Sequence, residues 1–172
     1  MRDEGILTGR YELIDGQILS KMRQKPPHAY VIHALRIWLI GLFGAEYTRT
    51  QATIDLSEVS PDYDEPEPDA AGTVQPYTHF AQRHPRTEDL LLLIEVSDTT
   101  LRFDLNAKAS LYARADIREY WVLDIVGRRL IVHRQPSLSG YQEIMVYTAD
   151  ESAVSLARPD GPIRVSDLLP LP

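Results

Sequence analysis

The stretch from residue 90 to 97, LLLLIEVS, constrains the fold most, because it is an almost continuous apolar run that contains one acidic residue. Apolar runs of this length without alternation are typical of strands that are covered on both faces. The chain must therefore supply elements that pack on either side of this strand. Glu95 lies within the run, and a buried carboxylate costs free energy unless a positive charge compensates it. We therefore expect a basic side chain close to Glu95.

A lysine on the helix that follows can supply this charge. The spacing predicts a helix over Leu105–Ala115 with Asp104 as its N-cap, and Lys108 lies on the same apolar face as Tyr112. The lysine would lie about 5 Å into the helix, and Glu95 about 7 Å back from the end of the strand. Because the helix returns along the strand, the two side chains should meet. The alternative is a surface ion pair between Lys108 and Asp104, four residues earlier.

A second carboxylate, Asp69, begins a short strand predicted over Asp69–Val74, after an acidic and proline-rich loop. Two carboxylates and a lysine that converge on a buried strand indicate a site that cleaves phosphodiester bonds with a metal ion. Each residue also has a structural interpretation. Asp69 could belong to the solvated loop, and Glu95 could be a buried carboxylate bound to a nearby arginine.

The remaining pattern predicts one domain over residues 1–172, an α/β fold with a mixed sheet, an N-terminal β-hairpin and flanking helices. Asp15-Gly16 is a favoured hairpin turn, and the polar stretch before the central strand is expected to be a mobile loop. The tail is expected to supply short edge pieces. The predicted elements are a hairpin of Tyr11–Leu13 and Ile18–Leu19, a helix over His28–Phe43, a strand over Glu46–Leu56, a loop over Gln75–Asp89, the central strand Leu90–Val96, a hairpin of Glu119–Ile125 and Arg128–Arg134, and a strand over Tyr141–Tyr147.

Charge and composition limit the class of protein. The net charge is -7, so tight binding of long nucleic acid is expected to need divalent ions. There is no cysteine, which excludes disulfides and thiolate metal sites and is compatible with a cytoplasmic location. The first residues lack the apolar stretch of a signal peptide. The apolar region from about residue 30 to 43 is interrupted by His33 and Arg36, which favours a buried helix over a membrane span.

Four segments carry a resemblance to a known family. In order, YELIDGQIL, EPDAAGTV, LLLLIEVSDTTLRFDLNAKASLYARADIREYWVLDI and IRVSDLL follow the pattern of the Uma-two restriction-endonuclease family. That family is a branch of the PD-(D/E)XK nuclease superfamily. The match covers about residues 10 to 169, and the segment from Glu95 to Asp124 is its specific part.

The resemblance implies a restriction-endonuclease-like core that cleaves DNA, in which Asp69 and Glu95 bind Mg²⁺. The lysine expected two positions after the glutamate is absent, because Ser97 stands there. It is displaced to the helix in this branch, which matches Lys108. The Val96 backbone carbonyl is expected as a further ligand, and hard oxygen ligands without cysteine also suit Mn²⁺.

Other interpretations stay open at this point. The fold could serve as a non-catalytic binding or regulatory module, with the hairpins forming a homodimer. A metal-dependent hydrolase with another substrate is a third interpretation, and the choice between DNA and RNA is also open. Glu12 in the first hairpin could add a carboxylate to the site, and His28 at the start of the first helix could reach its mouth.

Overall fold

A mixed six-stranded sheet forms the centre of the computed structural model, which describes residues 11–14, 16–20, 25–59 and 64–171. Its strands lie side by side in chain order, from β3 to β8. The strands are β3 (Thr48–Thr50), β4 (Ala70–Thr73), β5 (Leu90–Ser97), β6 (Glu119–Asp124), β7 (Arg129–Arg134) and β8 (Glu143–Thr148).

All neighbouring strands in this sheet are antiparallel except β5 and β6, which are parallel. A parallel pair needs a crossover connection, and a helical segment between these strands supplies it. This segment, α2, consists of α-helical Leu101–Phe103, π-helical Asp104–Lys108 and α-helical Ala109–Arg114. Of the residues that were expected to form the site, Glu95 and Val96 thus lie on the central strand and Lys108 on its crossover, while Asp69 immediately precedes β4.

Two apolar cores form because helices cover both faces of the sheet. Helix α1 (Pro26–Phe43) packs on one face through Val31, Leu35 and Leu39, against Ile94 of the central strand. Segment α2 packs on the other face. The core between α2 and the sheet contains Leu93, Leu111, Tyr112, Tyr120 and Val122, together with Ile54 and Leu56 of the chain between β3 and β4. The continuous apolar pattern of the central strand follows from this double cover.

Two hairpins lie outside the main sheet. The first is β1 (Tyr11–Ile14) and β2 (Gln17–Ser20), as the sequence predicts, although Asp15 of its expected turn lies outside the described residues. An antiparallel bridge between Leu13 and Glu65 attaches this hairpin to the segment before β4. The second hairpin, β9 (Ser152–Ser155) with β10 (Arg158–Arg164), leads into a short helix, α3 (Val165–Leu168).

The strand predicted over Glu46–Leu56 was wrong for most of its length. A 3₁₀ turn occupies Ala45–Tyr47, and β3 ends at Thr50 because Gln51 has a positive φ of 51°. A strand cannot continue through that conformation. Between β4 and β5 the chain forms two further 3₁₀ turns, Tyr77–Phe80 and Thr87–Asp89.

The predicted N-cap at Asp104 was also wrong. The helix begins one turn earlier, at Leu101, and Asp104 lies inside it. The carboxylate instead accepts hydrogen bonds from the hydroxyls of Ser97 and Thr100, each at 2.6 Å. The longest described helix is α1, and none within the described ranges is long and apolar enough to cross a membrane.

Gly72 of β4 lets the end of α1 approach the sheet. A Cβ atom there would lie 2.7 Å from Cε2 of Phe43. We expect Gly72→Ala to lower the free energy of unfolding by about 1–3 kcal/mol, because the ring must move. Urea denaturation checks this. Gly41→Ala is the matched control, since nothing lies within 4 Å of its new Cβ, and it should stabilise α1 by roughly 0.5–1 kcal/mol. Equal stability of the two variants would contradict the expected contact.

Candidate active site

The carboxylate of Glu95 and the ammonium of Lys108 meet in the core between the sheet and α2. Lys108 Nζ donates to Glu95 Oε1 at 2.8 Å, and the two residues are 3% and 2% exposed. The depth argument from the sequence predicted this contact. The alternative ion pair between Lys108 and Asp104 was wrong in its geometry, because the ammonium points to the sheet and not to the surface.

Lys108 keeps its charge although it is buried. Burial by itself lowers the pKa of this lysine, but the charges of Glu95, Glu12 and Asp104 outweigh that effect. The pKa therefore lies well above its ordinary value, and the side chain is an ammonium at any physiological pH. A permanent positive charge is thus held at the end of the central strand.

Tyr112 holds the same oxygen of Glu95. Its hydroxyl donates to Oε1 at 3.0 Å, one helical turn after Lys108. Burial and the charge of Glu95 both raise the pKa of Tyr112, so the phenol stays a neutral donor. Its ring packs edge-to-face on Tyr120, with centroids 4.9 Å apart. The orientation of the Glu95 carboxylate is therefore fixed by two donors from a single helix.

Glu12 of the first hairpin also reaches this cluster. Its Oε1 accepts a bond from Lys108 Nζ at 3.0 Å and another from the backbone N–H of Glu67 at 2.8 Å. The bridge between β1 and the segment before β4 brings this carboxylate into position. The sequence left the role of Glu12 open, and the structure gives it direct contact with the lysine.

Asp69 lies at the same end of the central strand, on the side of the neighbouring strand β4. Ala70 of β4 pairs with Ile94, so continuing the antiparallel register by one residue sets Asp69 opposite Glu95. Its Oδ2 accepts the backbone N–H of Val96 at 2.9 Å. His28 Nε2, from the first turn of α1, lies 3.3 Å from the same oxygen. Asp69 is therefore anchored to the strand that carries Glu95.

The backbone of Val96 contributes a further oxygen on this side. In a strand, the N–H and the carbonyl of one residue point the same way, as the exchange of both bonds within a hydrogen-bonded pair requires. Since the Val96 N–H points at Asp69, its carbonyl also faces β4. The next residue, Ser97, directs its carbonyl the other way, toward the N–H of Ile125. This places a backbone acceptor beside the two carboxylates.

The donor set has the chemistry that a hard cation prefers. Mg²⁺ is bound by one or two carboxylates, with water and substrate phosphates completing its coordination. Asp69, Glu95 and the Val96 carbonyl fit that pattern. Across residues 11–14, 16–20, 25–59 and 64–171, no three or more His, Asp and Glu side chains are grouped so as to hold a metal ion by themselves. These ranges therefore contain no preformed metal site made of side chains alone.

The side chains of the cluster are almost completely buried. Glu12, Asp69, Glu95 and Lys108 are 5%, 6%, 2% and 3% exposed. At the Asp69 end, the His28 side chain is 16% exposed. Beside it Lys25 Nζ lies 3.2 Å from Asp98 Oδ2, and this lysine is largely exposed. The Asp69 end of the cluster therefore lies next to accessible side chains at the start of α1.

Sequence reasoning missed two sets of contacts here. It assigned Tyr112 only to the apolar face, and it assigned Asp104 to a cap or to a surface ion pair with Lys108. The signal for Tyr112 was present, because a residue four positions after Lys108 lies on the same face of a helix. The bonds from Ser97 and Thr100 to Asp104 had no such signal.

Removing one hydroxyl tests the contact to Glu95. Tyr112→Phe should lower the free energy of unfolding by about 1.5–3 kcal/mol, because the lost bond is to a charged group. Tyr120→Phe is the matched control. Its hydroxyl donates to the Asp104 carbonyl at 3.1 Å, so its loss should cost only about 0.5–1.5 kcal/mol. Urea denaturation measures both, and a smaller cost for Tyr112→Phe than for Tyr120→Phe would exclude the charged bond.

A solved structure with a similar fold is available for comparison. A putative nuclease belonging to DUF820, from Anabaena variabilis, has a TM-score of 0.72 and is 13% identical in sequence. The likeness covers 96% of this chain and 95% of the other. At that identity the likeness shows a shared fold and no more. No match is found among the curated proteins.

The family model whose description is "Putative restriction endonuclease" matches residues 7–161. This range contains Glu12, Asp69, Glu95 and Lys108, and it agrees with the resemblance that the sequence motifs indicate. The chain therefore belongs to the Uma2 family of putative restriction endonucleases.

Proposed function

We propose that this protein is a DNA endonuclease that depends on a divalent metal ion. The observation that carries the proposal is the Lys108 ammonium at 2.8 Å from Glu95, at the end of the central strand where Asp69 is also anchored. Membership of the Uma2 family supports a phosphodiester substrate. Magnesium is the proposed ion, and manganese has the same ligand preference.

Asp69, Glu95 and the Val96 carbonyl would hold the ion in this proposal. When bound, it would supply a Lewis acid that neutralises charge at the scissile phosphate. Lys108 would orient the attacking water or stabilise the charge that develops on the phosphoryl oxygens. Tyr112 and Glu12 would hold Glu95 and Lys108 in position, because each contributes a hydrogen bond to that ion pair.

One observation favours a second candidate, a non-catalytic binding or regulatory module that keeps the nuclease fold. Glu95 and Lys108 are almost completely buried and compensate each other's charge. A buried ion pair of this kind can be a structural feature alone. The two candidates differ in whether the cluster binds a metal ion and hydrolyses DNA.

Loss of either carboxylate or of the lysine should stop cleavage. We expect Asp69→Asn, Glu95→Gln and Lys108→Met to reduce the nicking of supercoiled plasmid with Mg²⁺ or Mn²⁺ by about 10²–10³-fold or more. The same variants should fail on single-stranded DNA wherever the parent cleaves it. Gel analysis of the products over time provides the rates, and thermal unfolding shows which variants retain the fold.

Glu119→Gln is the matched control for the Glu95 variant. Glu119 is 1% exposed, lies on the neighbouring strand β6 and pairs with Arg134 at 2.7 Å. Its loss should lower stability but leave the cleavage rate of the folded protein near that of the parent. If Glu95→Gln cleaved as fast as Glu119→Gln, the assignment of Glu95 would be wrong.

Metal binding should depend on the same residues. Isothermal titration calorimetry of the parent with Mg²⁺ and Mn²⁺ should show a binding event that Asp69→Asn and Glu95→Gln weaken at least about tenfold, since each variant removes a charged oxygen ligand. Glu119→Gln should bind as the parent does. An absence of any binding by the parent would favour the non-catalytic module.

A further inference from the structure

A half-buried arginine on the edge strand beside the cluster has no counter-ion among the residues that the structure describes. Six arginines are half-buried in the part of the chain that the structure describes, and five of them donate to an oxygen. Those five are Arg83, Arg86, Arg128, Arg129 and Arg134. The sixth, Arg49, makes no side-chain hydrogen bond or ion pair within the described residues, and its Nε is buried without an acceptor.

The guanidinium of Arg49 is held in place by stacking. It lies over the ring of Phe80, with Cζ 5.5 Å from the ring centroid. Arg83 contacts the same ring at 5.3 Å, but Asp89 neutralises that arginine through two hydrogen bonds. Arg49 is thus an ordered cation whose charge is not compensated by any carboxylate in the described part of the chain. Burial lowers its pKa below the ordinary value, in line with desolvation that nothing offsets.

The position of Arg49 relates it to the cluster. It pairs with Ala71 of β4, and Gln51, two residues later, donates its N–H to the Asp69 carbonyl at 3.1 Å. Strand spacings therefore put the Cα atoms of Arg49 and Asp69 about 8 Å apart. Ala71 and Leu93 pair across β4 and β5, and both belong to the core on the α2 face of the sheet. Arg49 lies opposite Ala71, so it is on this face too. Glu95 is two residues after Leu93 on the same strand and therefore shares the face.

We propose that Arg49 binds a backbone phosphate of the substrate strand, next to the phosphate that is cleaved. A guanidinium offers a planar fork of donors that matches phosphate oxygens. In a chain of net charge -7, an ordered cation that pairs with no carboxylate of the described ranges is the kind of group that attracts a polyanion. This inference rests on the proposed nuclease function and adds a binding subsite to it.

The test measures binding separately from cleavage. Fluorescence anisotropy of labelled oligonucleotides is recorded in the Glu95→Gln background with Mg²⁺, over a range of salt concentrations. Duplex DNA, single-stranded DNA and RNA of one sequence are compared, because all three present the same phosphodiester. Arg49→Met removes the charge and keeps an apolar stem over Phe80. Arg36→Met is the matched control, since it makes the same change in net charge at an exposed position of α1, on the opposite face.

Arg49→Met should weaken binding about ten- to a hundredfold, as expected for one charged hydrogen-bonded contact. The slope of log K against log salt should fall by about 0.9 for duplex DNA or about 0.7 for a single strand. Arg49→Lys should keep the slope and lose part of the affinity, so it also serves if the Met variant is unstable. Arg36→Met should change neither quantity.

Binding by Arg49→Met that equals the Arg36→Met control in affinity and slope would overturn this inference and leave the nuclease proposal standing. Binding that depends on Arg49 in a protein whose parent cleaves no nucleic acid would support the subsite and refute the catalytic proposal. A parent that binds none of the three nucleic acids would overturn both.

Discussion

The buried ion pair between Lys108 and Glu95 is the interaction on which the arrangement of this protein depends. The ammonium joins three elements that are distant in the chain: the central strand, its crossover helix and, through Glu12, the first hairpin. Removing one partner from a buried pair leaves an uncompensated charge, which typically costs about 3–5 kcal/mol. The sheet, the helix and the hairpin are therefore held together by the ammonium group of Lys108.

Much of this core could be predicted from the sequence, because the physical rules that determine it apply to short segments of the chain. An apolar run of eight residues predicts a doubly covered strand, and both faces of β5 are covered. A buried Glu95 costs free energy unless a cation lies nearby. Together with helix periodicity, this cost predicts that Lys108 points to the sheet. Strand adjacency predicts that Asp69 comes near Glu95. These steps use spacing, rise per residue and the cost of a buried charge, which do not need distant contacts.

The features that the sequence did not predict depend on contacts and backbone conformations that residue spacing does not reveal. Glu12 is 96 positions from Lys108, and they meet because the hairpin docks on the segment that contains Glu65 and Glu67. The short length of β3 follows from the backbone of Gln51, a residue without a strong preference for positive φ. Asp104 satisfied the local rule for an N-cap, but the hydroxyls of Ser97 and Thr100 hold it inside the helix. In each case the conformation or contact that the fold imposes differs from the local tendency of the sequence.

The same ion pair can serve stability and the proposed catalysis, because the two roles require different properties of Lys108. Stability requires a positive charge near Glu95, while catalysis requires that charge at a defined point relative to the Asp69 carboxylate and the Val96 carbonyl. The hydrogen bonds from Tyr112 and from Lys108 to one oxygen of Glu95 both fix the orientation of that carboxylate and offset the cost of burying it. Since both donors come from consecutive turns of α2, a shift of the helix would disturb both at once.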